Sequence, residues 1–211
     1  MPGVPTPLAG RCTVAVRFAW VGDTAEGERV LAPLRAAAPL LLGAVEPMPY
    51  AQIGAIHADP VDPMPTMESA HLLGALPREA ADALLAVAGP DAPCPQVSVE
   101  LRLLGGAIGR PTGPSAVCHR DAAFSLLLIG VDVPPLHEAT AAHAAEVAAA
   151  VAPWTTAGAL PNFGGAATPE RVRRTYDART LERLATLAAA YDPAGVLACA
   201  DPVRAAITTA V

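Results

Sequence analysis

Residues 12–22, CTVAVRFAWVG, show a regular alternation of bulky apolar side chains with smaller or polar ones. The bulky positions are Val14, Val16, Phe18 and Trp20, each separated from the next by a single residue. A period of two residues is typical of a β-strand that packs one of its faces. The pattern therefore predicts a first strand with one bulky side.

Two further segments have strand patterns. Residues 96–106, QVSVELRLLGG, alternate between an apolar face and a polar face. The apolar face would hold Val97, Val99, Leu101 and Leu103, and the polar face Gln96, Ser98, Glu100 and Arg102. The polar face predicts a side that meets water or a ligand. Residues 122–133, AAFSLLLIGVDV, are apolar on both faces, which indicates a central strand.

Helical patterns with start or stop signals cover much of the rest of the chain. They predict helices over residues 23–39, 77–89 and 134–154, a helix that begins at the Thr168–Pro169 cap, and a helix through Leu181, Leu184 and Leu187 that ends at Asp192–Pro193. Residues 46–66 hold five prolines and predict a loop with a short extended piece at residues 53–56.

Together these elements predict an α+β fold, an antiparallel sheet with helices packed mainly on one face. The length of 211 residues suits a single domain over residues 1–211 with a sizeable core.

Composition narrows the function classes. The net charge is −6 and all 14 basic residues are arginine, without a basic cluster, which argues against nucleic acid as a partner. The apolar segments are broken by proline and arginine, so neither a membrane span nor a signal peptide is predicted. The cysteines form no CxxC pair and predict free thiols in a reducing cytoplasm; they are Cys12, Cys94, Cys118 and Cys199.

Motifs for catalysis or metal binding are weak. The glycine-rich LLGGAIGRPTG lacks the GxGxxG spacing, and Pro111 and Pro114 prevent the helix that a phosphate-binding loop needs. His137 and His143 are six residues apart, so they do not share a helical face and no metal site is predicted. Cys118 and His119 are adjacent, and adjacent side chains on an extended chain point apart.

The segment NFGGAATPERVRRTYDARTLERLATLAAAYDPAGVL, within residues 157–200, resembles the C-terminal signature of the berberine-bridge-enzyme-like FAD-linked oxidases. Three upstream segments resemble the substrate domain of this family in the same order; they are MPYAQIGAIHADP, VELRLLGGAIGR and HRDAAFSLLLIG. The resemblance implies the second, α+β domain of these enzymes, which covers the flavin and forms the substrate pocket. The FAD-binding domain that usually precedes it is expected to be absent.

In this family a tyrosine commonly stands two residues before the asparagine, and a glutamate on a sheet strand works with it. The matching positions are Leu160 and a place near Leu126, both apolar, so the catalytic residues stay unknown. The candidates to face substrate or flavin are Asn162, Phe163, Glu100, Arg102, Tyr50 and His119.

Each candidate also has a purely structural interpretation. Glu100 and Arg102 could form an ion pair on a solvated face, and Asn162 could cap a turn after a proline. His119 could be a loop residue at a strand start, and Tyr50 a packed anchor between prolines.

The resemblance implies the substrate-domain half of an FAD-linked oxidoreductase that acts on a small molecule with a separately encoded FAD-binding protein, or the product of a split or truncated gene. FAD would come from that partner, and no metal is expected. An exposed sheet face would bind the partner or a second copy of the chain. The alternative is a non-redox small-molecule-binding or scaffold protein that kept the fold and lost the catalytic base. A cofactor-free cyclase or isomerase has no motif to support it.

Overall fold

The computed structural model describes residues 6–8, 10–57, 63–196 and 205–206. Cys199, residues 58–62 of the predicted loop and the last four residues of the 157–200 signature lie outside the described residues. The chain divides into two compact units, Met1–Pro63 and Met64–Val211. In the described part of the chain, none of the helices combines the length and the apolar character that a membrane crossing requires.

The first unit contains helix α1, Thr24–Ala37, and a 3₁₀ helix, Tyr50–Ile56. The helix predicted here is confirmed, and Asp23 caps it: the Asp23 side chain accepts a hydrogen bond from the Glu26 nitrogen at 3.0 Å. The extended piece predicted at residues 53–56 is wrong. Pro49 enters the turn in an extended conformation, its carbonyl accepts from the Gln52 nitrogen, and the chain continues in i to i+3 bonds.

The strand predicted over residues 12–22 is also wrong. This segment has no regular secondary structure, and Val14 and Val16 are exposed. The indole of Trp20 turns toward α1 instead, where its Nε1 donates to the Asp23 carbonyl at 3.1 Å. Alternation expresses the preference of side chains for a pleated surface, but a strand also requires a neighbour that satisfies its backbone groups.

The second unit is built on a three-stranded antiparallel sheet. Its strands are β1, Thr66–Leu73, β2, Gln96–Leu103, and β3, Phe124–Val131, in the order β1-β3-β2. The central position predicted for β3 is confirmed, and most of its side chains are buried. Strand β1 carries no clear alternation and was not predicted from the sequence.

Helices α2, Arg78–Ala88, and α3, Leu136–Val151, pack on one face of this sheet, which we call the helix face. The core between them is apolar and contains Leu73, Leu84, Leu126, Leu128, Val147 and Val151. This arrangement confirms the predicted α+β fold. Pro77 and Gly89 flank α2, as the sequence predicts.

A β-bulge at Val97 changes the faces predicted for β2. Gln96 pairs with Gly130 and Ser98 with Ile129, so Val97 is the extra residue. Gln96 is therefore displaced from the predicted polar face to the helix face, where its Nε2 donates to the Thr140 carbonyl at 3.0 Å. The prediction holds for Ser98, Glu100 and Arg102.

The predicted C-terminal helices are confirmed as α4, Pro169–Thr175, and α5, Ala178–Tyr191. The Thr168 side chain caps α4 by accepting from the Arg171 nitrogen at 3.2 Å. Asp177 caps α5 in the same way, with its carboxylate 2.7 Å from the Thr180 nitrogen. These caps work because a short polar side chain satisfies backbone donors that the first turn leaves open.

Candidate functional site

The face of the sheet opposite α2 and α3 carries most of the polar side chains of the strands. We call it the loop face because a loop crosses it. In a register-paired sheet, directly opposed residues share a face. The loop face therefore contains Glu68, Ala70 and Leu72 from β1, Ser125, Leu127 and Ile129 from β3, and Ser98, Glu100 and Arg102 from β2.

The crossing loop is ALPNFGG, residues 159–165, and Glu68 holds its end. The Gly164 nitrogen donates to Glu68 Oε2 at 3.1 Å, and the Gly165 nitrogen approaches the same oxygen at 3.5 Å. Two successive backbone N–H groups that converge on one anion form a small anion-binding concavity. Here the anion is a side chain of the sheet, so the concavity serves to anchor the loop.

The two glycines are required by conformation and by space. Phe163, Gly164 and Gly165 have φ of 60°, 135° and 72°, a region that side chains with a Cβ rarely adopt. A Cβ on Gly165 would lie 2.8 Å from the Glu68 carbonyl oxygen. A Cβ on Gly164 would lie 3.3 Å from the Cβ of Ala70. The loop therefore approaches β1 closely enough to exclude larger residues.

Arg171 of α4 fixes the other side of the loop. Its Nη2 donates to the carbonyls of Leu160 at 2.9 Å, Pro161 at 3.4 Å and Phe163 at 3.2 Å. A guanidinium presents several donors in a rigid plane, which suits it to gathering carbonyls of one turn. Loop and helix α4 are thereby joined.

The aromatic residue of the loop meets the polar face of β2. The guanidinium of Arg102 lies over the Phe163 ring, with the carbon Cζ 4.3 Å from the ring centroid. The same guanidinium donates from Nε to Glu100 Oε1 at 2.5 Å. A cation over an aromatic face is attracted by the ring quadrupole. Phe163 keeps 39% of its surface exposed, so this cluster is accessible from outside.

Three of the predicted candidates are thus brought together, namely Phe163, Glu100 and Arg102. Asn162 adjoins them in sequence and is exposed, and within the described residues its amide makes no hydrogen bond. The proposed turn cap by this amide is therefore absent.

The other candidates lie elsewhere. His119 has a φ of 57°, and its Nε2 donates to the Arg174 carbonyl at 2.8 Å, which ties the approach to β3 to the end of α4. Tyr50 begins the 3₁₀ helix of the first unit, where its side chain is exposed.

The two apolar positions near the family's catalytic pair have different surroundings. Leu160 lies in the crossing loop and is half-buried, with its carbonyl bound by Arg171. Leu126 is fully buried in the helix-face core. Its neighbours Ser125 and Leu127 belong to the loop face, and both are also buried.

Sequence patterns did not point to Glu68, Arg171 or Ser125. Glu68 is 96 residues from Gly164 in the chain, so no local motif connects the two. The Asn-Phe-Gly-Gly stretch was a usable signal for a special turn, because two consecutive glycines favour positive φ. Its partners became visible only in the folded chain.

The helix face of β1 carries a histidine whose protonation is altered by folding. Burial lowers the pKa of His71, and the positive charge of Arg174 lowers it further. Its Nε2 lies 3.3 Å from Ser69 Oγ. The neutral imidazole is therefore the form that the fold favours.

A groove of about 880 Å³ opens between the loop at residues 113–116 and helix α5. None of the residues selected from the sequence lines it. The polar cluster and this groove thus lie at different places, and we place the candidate site on the polar cluster. Among the described residues, no group of three or more His, Cys, Asp or Glu side chains could hold a metal ion.

No protein-family model matches the chain, and no curated protein matches it. Among solved structures, the fold is similar to that of 6-hydroxy-D-nicotine oxidase from Arthrobacter nicotinovorans, with a TM-score of 0.62 and 22% sequence identity. The chain therefore shares the fold of part of this oxidase. The match covers 82% of this chain and 40% of the oxidase.

The extent of this match adds two facts. It covers more of the chain than residues 64–211 supply, so it extends into the first unit. The chain spans only about 40% of the length of the oxidase. At this level of identity the similarity concerns the fold.

Proposed function

We propose that this chain is the substrate-covering part of an FAD-linked oxidoreductase and that a domain outside these 211 residues holds the FAD. The fold match carries the proposal, because it extends over 82% of this chain but only 40% of the oxidase. The half-buried cluster of Glu100, Arg102 and Phe163 supports it, since convergent polar groups beside an aromatic side chain are typical of small-molecule sites.

Two glycine turns of the chain do not offer a site for the pyrophosphate of FAD, whereas Phe163 offers a surface for a planar ring. A pyrophosphate requires free backbone N–H groups, usually at a helix N-terminus. The N–H groups of Gly164 and Gly165 are directed at Glu68, and those of Ile108 and Gly109 at the carbonyl of Gly105. The exposed ring of Phe163 instead offers a surface for a planar ring.

FAD held by the other domain would supply the capacity to accept a hydride, and this chain's residues would supply position and electrostatics. In our proposal Phe163 and the half-buried Leu160 exclude water from the substrate, and Arg102 orients it. Of the two carboxylates identified on the loop face, Glu68 is bound by the turn amides. Glu100 is paired with Arg102 through Oε1, so in our proposal its other oxygen, Oε2, accepts the proton of a hydroxyl.

We further propose that the FAD-holding domain meets the chain beside Asn162 and Phe163, which are both exposed. The partner is a flavoprotein or a flavin domain, and self-association through this surface is the second possibility. Sedimentation and pull-down experiments separate these outcomes. A dispersed monomer that captures no flavoprotein would count heavily against the proposal.

A non-redox small-molecule-binding or scaffold protein is the second candidate function. It is favoured by the apolar residue Leu160 and by the burial of Leu126, which leave both family base positions unable to exchange a proton. In this case the polar cluster of the loop face binds a ligand without transforming it.

The experiment is co-expression of the chain with the proteins encoded beside its gene, followed by purification and a visible absorption spectrum. A yellow complex that produces hydrogen peroxide supports the oxidoreductase. A colourless preparation without oxidase activity supports the binding protein. As a control, the Arg78→Gln variant should give the same absorption spectrum and the same oxidase activity as the native chain. The Arg78 side chain is 88% exposed on α2, away from the loop face.

A further inference from the structure

Ser125 of β3 has a hydroxyl that forms no hydrogen bond within the described residues and is not fully enclosed by them. Its side chain belongs to the loop face, directly opposite Arg102 of β2. The residue is only 4% exposed, and no hydrogen bond to its Oγ is formed within the described part of the chain. Because a serine hydroxyl can both donate and accept, this partly accessible group can bind a molecule that lies on the loop face.

Arg102, directly opposite Ser125, is held in place, but not all of its hydrogen-bond donors are used. Its Nε donates to Glu100 at 2.5 Å, and its Cζ lies 4.3 Å from the centroid of the Phe163 ring. Within the described residues, the two Nη nitrogens make no hydrogen bond. The ion pair and the contact with the aromatic ring fix the Arg102 guanidinium. Its two Nη nitrogens are therefore preorganised to donate to an acceptor.

The charges around this pair balance. Arg102 is paired with Glu100, and nearby the crossing loop joins Glu68 to Arg171 through its own backbone. Two arginines and two glutamates leave the site without net charge. A charged ligand would therefore bring an uncompensated ion into a half-buried site, which is costly.

We propose that Arg102 and Ser125 bind the carbonyl group of a neutral, planar small molecule whose ring packs against Phe163. The Nη nitrogens and the Ser125 hydroxyl donate to the carbonyl oxygen, and Glu100 accepts a hydrogen bond from an adjacent N–H or O–H of the ligand. This inference names the substrate class of the proposed function. Only the description of the ligand as a substrate rests on that function. The binding itself requires no flavin.

Benzamide and benzoate test the proposal, because they have nearly the same shape and differ in charge. The full chain is titrated with each while the NMR signals of the Arg102 Nε–H group and the Phe163 ring are followed. We expect benzamide to shift both signals in a saturable way and benzoate to bind at least about tenfold more weakly. Equal binding of the two probes, or no response to benzamide, overturns the proposal.

Substitutions test whether the charge balance of the site determines its preference for a neutral ligand. Glu100→Gln removes the negative charge and leaves Arg102 in excess, so benzoate should gain at least about tenfold relative to benzamide. An unchanged ratio in a variant with a native-like spectrum contradicts the proposal. Ser125→Ala should weaken benzamide several-fold while leaving the denaturation midpoint unchanged, because the hydroxyl makes no bond within the fold.

A second variant protects the test against misfolding. Arg102→Lys keeps the charge but loses the planar fork, and benzamide binding should fall while the probe preference is retained. If the chain selects benzamide but never acquires flavin, this inference is supported and the proposed oxidoreductase function is contradicted. If a yellow, active complex forms but the chain does not select benzamide, only this inference is contradicted.

Discussion

The backbone N–H of Gly164 donates a hydrogen bond to the side-chain carboxylate of Glu68, with 3.1 Å between nitrogen and Oε2. The two residues are 96 positions apart in the chain. This bond fixes the crossing loop on the sheet and thereby sets the position of Phe163 over the polar side chains of β2. The following predictions concern this arrangement and the packing beneath it.

Substitution of Glu68 should release the loop. Glu68→Ala removes the acceptor of two backbone N–H groups, and a hydrogen bond to a charged group contributes about 1.5–3 kcal/mol. We expect the free energy of unfolding to fall by about 2 kcal/mol and the amides of Gly164 and Gly165 to exchange faster. Denaturation and hydrogen exchange measure both effects.

Glu146→Ala is the matched control for this substitution, because Glu146 is exposed on α3 and its side chain forms no hydrogen bond or ion pair with the described residues. It should change stability by less than about 0.5 kcal/mol. Equal exchange rates for Gly164 in the Glu68→Ala variant and the native chain would show that the carboxylate does not hold the loop.

Glycine at position 165 should be required. In Gly165→Ala the new Cβ would lie 2.8 Å from the Glu68 carbonyl oxygen, and the residue would keep a φ of 72°. Both effects destabilise, and we expect a loss of about 2 kcal/mol or more in chemical denaturation. Gly113→Ala is the control, since its Cβ would meet no atom within 4 Å. A loss of similar size in both variants contradicts the interpretation.

Gly130 of β3 should be required for the contact between the sheet and α3. A Cβ at this position would lie 2.1 Å from Thr140 Cγ2 and 2.6 Å from Gln96 Oε1. Overpacking of this kind costs about 1–3 kcal/mol, so Gly130→Ala should be clearly destabilised in a denaturation experiment.

The double variant Gly130→Ala with Thr140→Ser should recover part of this loss. Serine lacks Cγ2 but keeps the hydroxyl that donates to the Val131 carbonyl at 3.3 Å. Recovery cannot be complete, because Gln96 Oε1 still approaches the new methyl group. Simple additivity of the two single changes would argue against a direct clash.

Stability should depend on pH through His71. Burial and the positive charge of Arg174 lower the pKa of this histidine in the folded chain below its pKa in the unfolded chain, so the unfolded chain binds the proton more readily. The stabilisation is complete above the unfolded pKa and is lost as the pH falls from that value through the folded pKa. The free energy of unfolding should therefore decrease as the pH is lowered from 7.5 to 5.5.

His71→Gln removes this titration and should flatten the pH dependence in that range. Denaturant titrations at several pH values measure the slope for both proteins. The same slope in the variant would assign the pH dependence to other groups.

Helices were predicted well from the sequence because their signals are local. Asp23, Thr168 and Asp177 each cap a helix through a backbone nitrogen three residues away. A hydrogen bond between residues only three positions apart in the sequence is determined by neighbouring residues alone. The central place of β3 was also predictable, since a strand that is apolar on both faces must be covered on both.

Strand pairing could not be predicted with the same certainty. Residues 12–22 have the strongest alternation in the chain and form no strand, whereas β1 has little alternation and pairs with β3 along its whole length. Alternation shows which side chains would share a face. Whether a neighbouring strand is present depends on residues far away in the chain. The bulge at Val97, which moves Gln96 to the helix face, has the same origin.

The sequence by itself determined the helices, the central strand and the residue types of the site, including Glu100, Arg102 and Phe163. Only the tertiary structure decided that these three meet, that Ser125 joins them in place of Leu126, and that Glu68 and Arg171 hold the loop above them. The physical reason is the range of the interactions. Helix caps are formed by neighbours in the chain, whereas a cation over an aromatic ring or a carboxylate on a glycine turn requires segments that only folding brings together.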